Sequence, residues 1–562
     1  MKKWSKGIAL AVMVMLLVSF ALAGCGAPKK EEAKPSTPQA EPQVLNINLG
    51  EEPPQMDPQK STDTVSFILL NATLEGLVRL DPKGNVVKGS GLAADWTVSP
   101  DGLKYTFKLR DAKWGSGNPI TAQDFEFAWK RALDPRTASE YAYQLYYIKG
   151  GEALNSIDVK APDAEAKIKK AMDELGVKAI DDKTLEVTLE KPTPYFLSLT
   201  SFITYLPIEK KFYEQVGDKY GSDADKLSYS GPFRVKEWVH ESKIVLEKNP
   251  NYWDAKNVKL EQINMAMVKE STTAINMFEA GDLDVVGIPG EFIPVYKQKG
   301  TLQTLAQAVT WYIEFNTKNP VFKNQKIRQA FSMAVDRQAF VDNVLKNGSL
   351  AATSFTPPTL PGLDGPFQKM VGDQISPKAN PDEAKKLLAE GMKELGITKL
   401  PKLTFLAGDS DIAKKYSQAL QEFWKTNLGV EVALENVAFK VRLQKMTKGD
   451  YDFVFAGWGG DYNDPMTFVD MWVTGGGNNN SFWSNKDYDK YVETAKSTAD
   501  QKVRMEAMKN AELILLKELP IAPLYWPARN FVEKPYVKGI ARYPVGADTE
   551  FKWAYIEGKT KK

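Results

Sequence analysis

The chain has 562 residues, 43% hydrophobic and 26% charged, with 73 basic against 71 acidic residues and a formal net charge of +2. That length exceeds one hydrophobic core and implies two to four domains, while the composition is that of a soluble globular protein. The balanced charge argues against a nucleic-acid binder, and one histidine with one cysteine argues against Ser-His-Asp and Cys-His triads and multi-histidine zinc sites.

The first segment reads as a targeting signal. Lys2, Lys3 and Lys6 form a basic head, Ile8 to Phe20 is an apolar run, and Leu22-Ala23-Gly24-Cys25 closes it. The run suits a signal peptide and is short for a membrane span. Small residues before a cysteine form the bacterial lipoprotein pattern, so residues 1–24 are expected to be cut off and Cys25 acylated. Several acyl chains would anchor the protein stably to a membrane, where one chain is marginal. Removal of the three lysines leaves 70 basic against 71 acidic residues, and the mature chain has no cysteine beyond Cys25 and hence no disulfide. Residues 25–44 are polar and proline-rich and read as a flexible tether.

Beyond the tether, "VLNINLG" (44–50) alternates like a first strand, and "EEPPQMDPQKSTDT" (51–64) is a proline-punctuated loop before a helix at 66–75. Residues 103–110 and 183–192 read as strands. Residues 121–135 form a helix capped by Thr121, with Phe125, Ala128, Trp129 and Ala132 at helical spacing. Trp114, Trp129 and Tyr105 read as core. Hairpins occupy 231–286, with one helix near 271–280, and His240 falls in a hairpin turn, as a surface residue. A strand at 311–316, a long amphipathic helix at 324–345, and helices at 380–395, 412–428 and 498–519 follow, with strands at 430–437 and 451–455. Mixed helices and strands throughout make the class α/β with several lobes.

One stretch stands apart: "AGWGGDYNDP" (456–465) ends a strand with three glycines, an indole and two aspartates. Gly457 and Gly459 flank Trp458, and the segment reads as one built to present backbone. Asp461 reads as a carboxylate with no partner in the local sequence. Asp461 and Asp464 also form a candidate carboxylate pair for a surface hydrolase. Pro465 and the backbone-presenting character of the segment weigh against that alternative. No GxSxG, Walker-type or GxGxxG motif appears in a supporting context.

Four segments in order carry a resemblance: "LAADWTVSPDGLKYTFKLRDAKWGSGNPITAQDFEFAWKR", "SGPFRVKEWVHESKIVLEKNPNYWD", "FNTKNPVFKNQKIRQAFSMAVDR" and "AGWGGDYNDP". The chain resembles the extracellular solute-binding proteins of the peptide-transport class, the oligopeptide-binding type of ABC importers. The resemblance implies an α/β, three-lobed, periplasmic-binding-protein-like fold (class II, peptide-binding type) with mixed sheets and a hinged cleft. Lobe I would be 45–74, 206–309 and 526–562, lobe II 75–205, and lobe III 310–525. It implies no enzymatic activity, no cofactor or metal, and a monomer that hands a peptide to permease subunits.

Residue by residue, the resemblance puts the ligand amine on Asp461 and a pocket wall on Trp458. Tyr141 matches a pocket tyrosine, and Phe439 stands where relatives have tryptophan. Asp63 and Thr64 match a loop that pairs with ligand backbone. Trp311, Tyr312, Tyr525 and Trp526 lie at the two lobe crossings and are expected to face the cleft. The pattern departs at Phe455, where relatives carry an arginine that meets the ligand carboxylate, and at Gly287, where they carry a pocket tyrosine. Alternative ligands on the same fold are a di- or tripeptide, a peptide signal, a sugar or a metal complex.

Overall fold

The computed structural model describes residues 43–193 and 195–559. The signal segment, Cys25 and the tether up to residue 42 lie outside the described residues. Gln43, assigned to the tether from sequence, already belongs to the fold: its side chain donates to the Ile556 carbonyl (2.9 Å) and accepts from the Ile556 N–H (3.0 Å).

Three mixed or antiparallel sheets organise the described chain. The first has seven strands in the order Gln303–Ala306, Ala528–Glu533, Val285–Gly287, Val44–Asn48, Gln262–Ala266, Lys243–Lys248 and Phe233–Val239. The second has four, Ala93–Val98, Lys104–Leu109, Thr184–Thr188 and Val177–Asp181, all antiparallel. The third has six, in the order Leu350–Ala351, Ile521–Trp526, Val309–Phe315, Phe453–Gly459, Leu403–Gly408 and Val432–Val437. Strands such as Val44–Asn48 and Lys104–Leu109 bury alternate residues, whereas Ile521–Trp526 in the six-stranded sheet is buried along its whole length, on both faces. Among the described helices none is long and apolar enough to cross a membrane.

The chain passes between the seven- and six-stranded sheets at two adjacent places. Gln303–Ala306 pairs with Ala528–Glu533 in one sheet, and Val309–Phe315 pairs with Ile521–Trp526 in the other. Two short connectors, 307–308 and 527, therefore lie side by side between two rigid sheets.

Alternation along Val309–Phe315 and Phe453–Gly459 separates two environments. Ile313, Phe315, Phe453 and Phe455 enter an aromatic core with Phe331, Phe405 and Trp424. Tyr312, Val454, Ala456 and Trp458 point to the opposite face and join the large core shared with the four-stranded sheet. Each fully buried aromatic of this kind stabilises the fold by about 1.5–3 kcal/mol through lost water contact.

Two sequence expectations change. Strand Phe453–Gly459 runs through the glycines, so Gly457-Trp458-Gly459 is part of the strand and not a loop beyond it. The helix expected at 324–345 is interrupted. Gln325–Met333 ends, Asp336 accepts from the Ala339 N–H (2.7 Å) to start a new turn, and Phe340–Leu345 continues as a wider π-type turn. The buried Arg337 side chain fixes the break by donating to the Pro523 carbonyl (2.6 Å) and the Ser332 hydroxyl (2.8 Å). Polar satisfaction of one arginine outweighs helical propensity here.

Candidate functional site

The site is built around the outer edge of strand Phe453–Gly459. On one side this strand pairs with Val309–Phe315 along its whole length. On the other, Leu403–Gly408 pairs only with Phe453 and Val454 and then diverges. Residues 455, 457 and 459 share one parity, and the Phe455 carbonyl is directed outward, where it accepts from Arg442 Nη1 (2.8 Å). Gly457 and Gly459 thus present backbone to an edge that has no neighbouring strand among the described residues, which is the requirement for strand addition by an extended segment.

A cavity of about 370 Å³ meets this strand at Gly457 and Trp458. Gly457, Trp458 and Tyr312 contribute from the six-stranded sheet, Gln444 and Thr447 from helix Phe439–Lys448, and Thr62 and Asp63 from the loop before helix Thr64–Thr73. That loop is held from below: Arg131 Nη1 donates to Asp57 Oδ1 (2.8 Å) and Gln59 Oε1 (3.0 Å). Groups from all three sheet-bearing regions meet here, since Glu140 also lines the cavity.

Asp461 follows the strand by two residues and is buried. Its carboxylate accepts from the Tyr141 hydroxyl (3.0 Å) and from Gln144 Nε2 (3.1 Å), and its N–H donates to Thr467 Oγ1 (2.8 Å). All three partners are neutral. No lysine, arginine or histidine lies within ion-pair distance of Asp461 among the described residues. Burial pushes the carboxyl well above the usual carboxylate range, and the nearby Asp470 adds to this, against the lowering effect of Tyr141, Thr467 and Gln144. A buried carboxyl with neutral donors and no cation is held toward its protonated, neutral form. Asp461 also borders a smaller cavity, about 80 Å³, with Asn71, Tyr462 and Asn463.

Trp458 is fixed by its indole N–H, which donates to the Thr467 carbonyl (2.8 Å), and by stacking on Tyr141 at 5.9 Å between centroids. Tyr141, Trp458 and Asp461 therefore converge as one unit. Asp464 does not join them. It forms a two-pronged ion pair with Arg504 (2.6 and 2.7 Å), so Asp461 and Asp464 are not the free carboxylate pair a glycosidase needs.

Other residues singled out from sequence fall in several places. Asp63 lines the cavity but uses its carboxylate as a helix cap, accepting from the N–H (2.8 Å) and hydroxyl (2.8 Å) of Ser66. Burial pushes its carboxyl up to about 6. Thr64 is the exposed first residue of that helix. Phe439 is half-buried at the start of its helix, its ring 5.1 Å from the Arg442 guanidinium. Of the four crossing residues, Tyr312 lines the cavity. Trp311 and Tyr525 correct the expectation that they face it. They lie on the opposite face of the sheet, stacked on each other (6.2 Å), because odd positions of strand Val309–Phe315 point into the aromatic core. Trp526 is buried with its indole N–H unpartnered. Gly457 also has a packing reason to be glycine, since a Cβ there would sit 2.9 Å from the Trp311 ring.

Sequence reasoning missed Gln144, Thr467 and Arg442. Gln144 lies three residues from Tyr141 in a 3-10 turn, a spacing that aims both side chains at one carboxylate. Arg442 and Thr467 carry no local signal, because tertiary packing alone brings them to the site.

Residues 89–480 match the model of the bacterial extracellular solute-binding proteins, family 5, middle region. The chain is 37% identical to the oligopeptide-binding protein OppA of Bacillus subtilis over 574 residues, covering 99% of this chain and all of that protein. Among solved structures, Listeria monocytogenes OppA bound to peptide superposes with a TM-score of 0.85 at 39% identity, covering 93% of this chain and 100% of that one. The Escherichia coli murein tripeptide binding protein MppA gives 0.80 at 32% identity over 92% of this chain and 99% of that one. The unliganded open form of MppA gives 0.57 at 31% identity over 92% of this chain and 98% of that one, so the present arrangement departs from that open form. The relatives are binding proteins rather than enzymes, and the chain belongs to the bacterial extracellular solute-binding proteins, family 5.

Proposed function

We propose that this protein is a lipid-anchored extracytoplasmic receptor that captures peptides between hinged lobes and delivers them to the permease of an ABC importer. The observation that carries this reading is the buried, cation-free carboxyl of Asp461 at the end of a strand edge with no neighbour. A peptide offers what such a site lacks: an ammonium for Asp461 and a ladder of N–H and C=O groups for Gly457 and Gly459. Trp458 and Tyr141 form an apolar wall that tolerates varied side chains.

Lobe I comprises 45–74, 206–309 and 526–562, lobe II 75–205 and lobe III 310–525. This division is supported by the three separate sheets and by the paired connectors between the seven- and six-stranded sheets, which suit a hinge. Cys25 carries the lipid anchor and residues 25–42 the tether, and the protein acts as a monomer without cofactor or metal. Support for a peptide ligand comes also from the relatives, one named for oligopeptides and one solved with peptide bound. A sugar or metal complex without an amine would leave Asp461 uncompensated.

Denaturing the purified protein and analysing released small molecules by mass spectrometry tests the reading. Intact peptides with free amino termini are the expected release, and peptide added back raises the melting temperature by mass action. Release of sugars, or of cleaved products accumulating with time, would contradict it.

A further inference from the structure

The charged side chains around the cavity at Gly457 and Trp458 divide by sign into committed and uncommitted groups. Its two acids are both engaged within the protein: Asp63 caps helix Thr64–Thr73 through Ser66, and Glu140 accepts from the Thr447 hydroxyl (3.3 Å). Burial holds the Glu140 carboxyl above the usual carboxylate range, which weakens the negative charge it presents. The three cations that line the cavity are Lys60, Lys440 and Lys448, and none of their ammonium groups has a hydrogen bond or ion pair among the described residues.

The asymmetry is local to the cavity. Lys440, Gln444 and Lys448 recur every fourth residue of helix Phe439–Lys448 and so share the face that lines it. Lys445, on another face of the same helix and outside the cavity lining, is paired with both Glu435 (3.0 Å) and Asp450 (3.4 Å). Lys60 comes from the separate loop before helix Thr64–Thr73, where its neighbour Asp57 is already taken by Arg131. Like charges brought to one cavity from two segments repel each other, and an anionic group between them removes that repulsion. Lys440 and Lys448 are exposed, so their pull on an anion acts through solvent, favours fast association and is screened by salt.

Resting on the peptide reading above, we infer that Lys60, Lys440 and Lys448 make this receptor selective for peptides that carry acidic side chains. The group selected is a side-chain carboxylate, which neither the Asp461 carboxyl nor the backbone of Gly457 and Gly459 would distinguish from a neutral amide.

The test uses the purified protein and short peptide mixtures that share free amino and carboxyl termini and differ only in carrying Glu, Gln or Lys at internal positions. Calorimetry reads affinity and stopped-flow mixing reads association rate. At low ionic strength the Glu set is expected to bind about tenfold tighter than the Gln set, chiefly through faster association, with the ratio falling toward one in about 1 M salt. The double variant Lys440→Gln, Lys448→Gln is expected to lose most of that ratio, and Lys440→Glu, Lys448→Glu to turn the preference toward the Lys set. Both positions are exposed, so these changes leave the core untouched. Equal binding of the Glu and Gln sets, or a Glu preference that survives undiminished in the Lys440→Gln, Lys448→Gln variant, would overturn selection by these lysines while leaving the peptide reading intact. Failure of every set to bind the wild-type protein would overturn both.

Discussion

The Tyr141 hydroxyl donates to Oδ1 of Asp461 across 3.0 Å, joining two segments 320 residues apart in the chain. This bond closes a wall whose other members are Trp458 and Gln144. It also gives a buried carboxyl a neutral partner in place of a cation. An ammonium arriving there would find a polarisable, prearranged acceptor with little reorganisation left to make.

A pH signature follows. Burial holds the free-site Asp461 carboxyl well above the ordinary range, so it carries a proton more readily than in water. A bound ammonium favours the ionised form and lowers that pKa, so binding expels the proton. Affinity for free-amine peptides should rise with pH through the Asp461 titration until the ligand amine itself loses its proton, near about 8. Calorimetry in buffers of different ionisation enthalpy should record net proton release on binding, and none in Asp461→Asn. Proton uptake would be the opposite of this account.

The two strand glycines should respond differently. A Cβ at Gly457 would lie 2.9 Å from the Trp311 ring, while one at Gly459 would meet Val309 Cγ2 at an ordinary 3.6 Å. Gly457→Ala is expected to destabilise by about 1–3 kcal/mol, the usual cost of overpacking, and Gly459→Ala by much less. Urea unfolding of the two variants measures this. Equal losses would mean that the Trp311 contact does not set the requirement.

These residues also mark what the sequence makes legible. Glycines, an indole and an aspartate at a strand end stand out locally because no core position needs that combination. The side of the sheet each aromatic faces is decided by register, and a one-residue shift moves every side chain to the other face. Trp311 and Tyr312 were therefore indistinguishable before the pairing with Gly457 and Ala456 was known. Arg442 was invisible for a related reason: its helix presents charged residues on several sides, and only the fold selects the one that is buried. The crossing strands and the signature helix at 122–133 were readable because their periodicity is strong and their caps are local.

His240 makes a separate prediction for stability. Its ring nitrogens lie 2.7 Å from Glu52 Oε1 and 2.9 Å from Asp223 Oδ1, in the turn of the Phe233–Val239 and Lys243–Lys248 hairpin. Hydrogen bonds to Asp223 and then Glu52 raise its pKa above the ordinary value. A raised histidine pKa stabilises the fold fully below about 6.5, the unfolded value, and the gain is lost as pH rises through the folded pKa. The melting temperature of His240→Gln should fall below wild type at pH 5.5 and converge with it at pH 8.5. A constant gap across that range would contradict the linkage. The effect is small because the ring is half exposed.

Polar contacts bridge the seven- and six-stranded sheets across the cleft. Lys269 Nζ pairs with Asp409 Oδ2 (3.0 Å), and the Ser271 N–H donates to Asp411 Oδ2 (3.0 Å). Partly exposed pairs of this kind contribute about 0.2–1 kcal/mol each and weaken with salt. The double variant Asp409→Asn, Asp411→Asn should bind peptide up to about tenfold more weakly at low ionic strength, chiefly through faster dissociation, and approach wild type in 1 M salt. Stopped-flow release rates measure this. An unchanged rate at low salt would show that these contacts do not hold the cleft shut.

Substituting Asp461 by asparagine and comparing free-amine with N-acetylated peptides tests the central claim most directly. Deleting one partner of a buried, hydrogen-bonded ion pair costs roughly 2–5 kcal/mol. Titration calorimetry should show that loss for free-amine peptides and little change for their acetylated forms. Equal weakening of both would mean that Asp461 shapes the cavity without gripping the ligand's positive end.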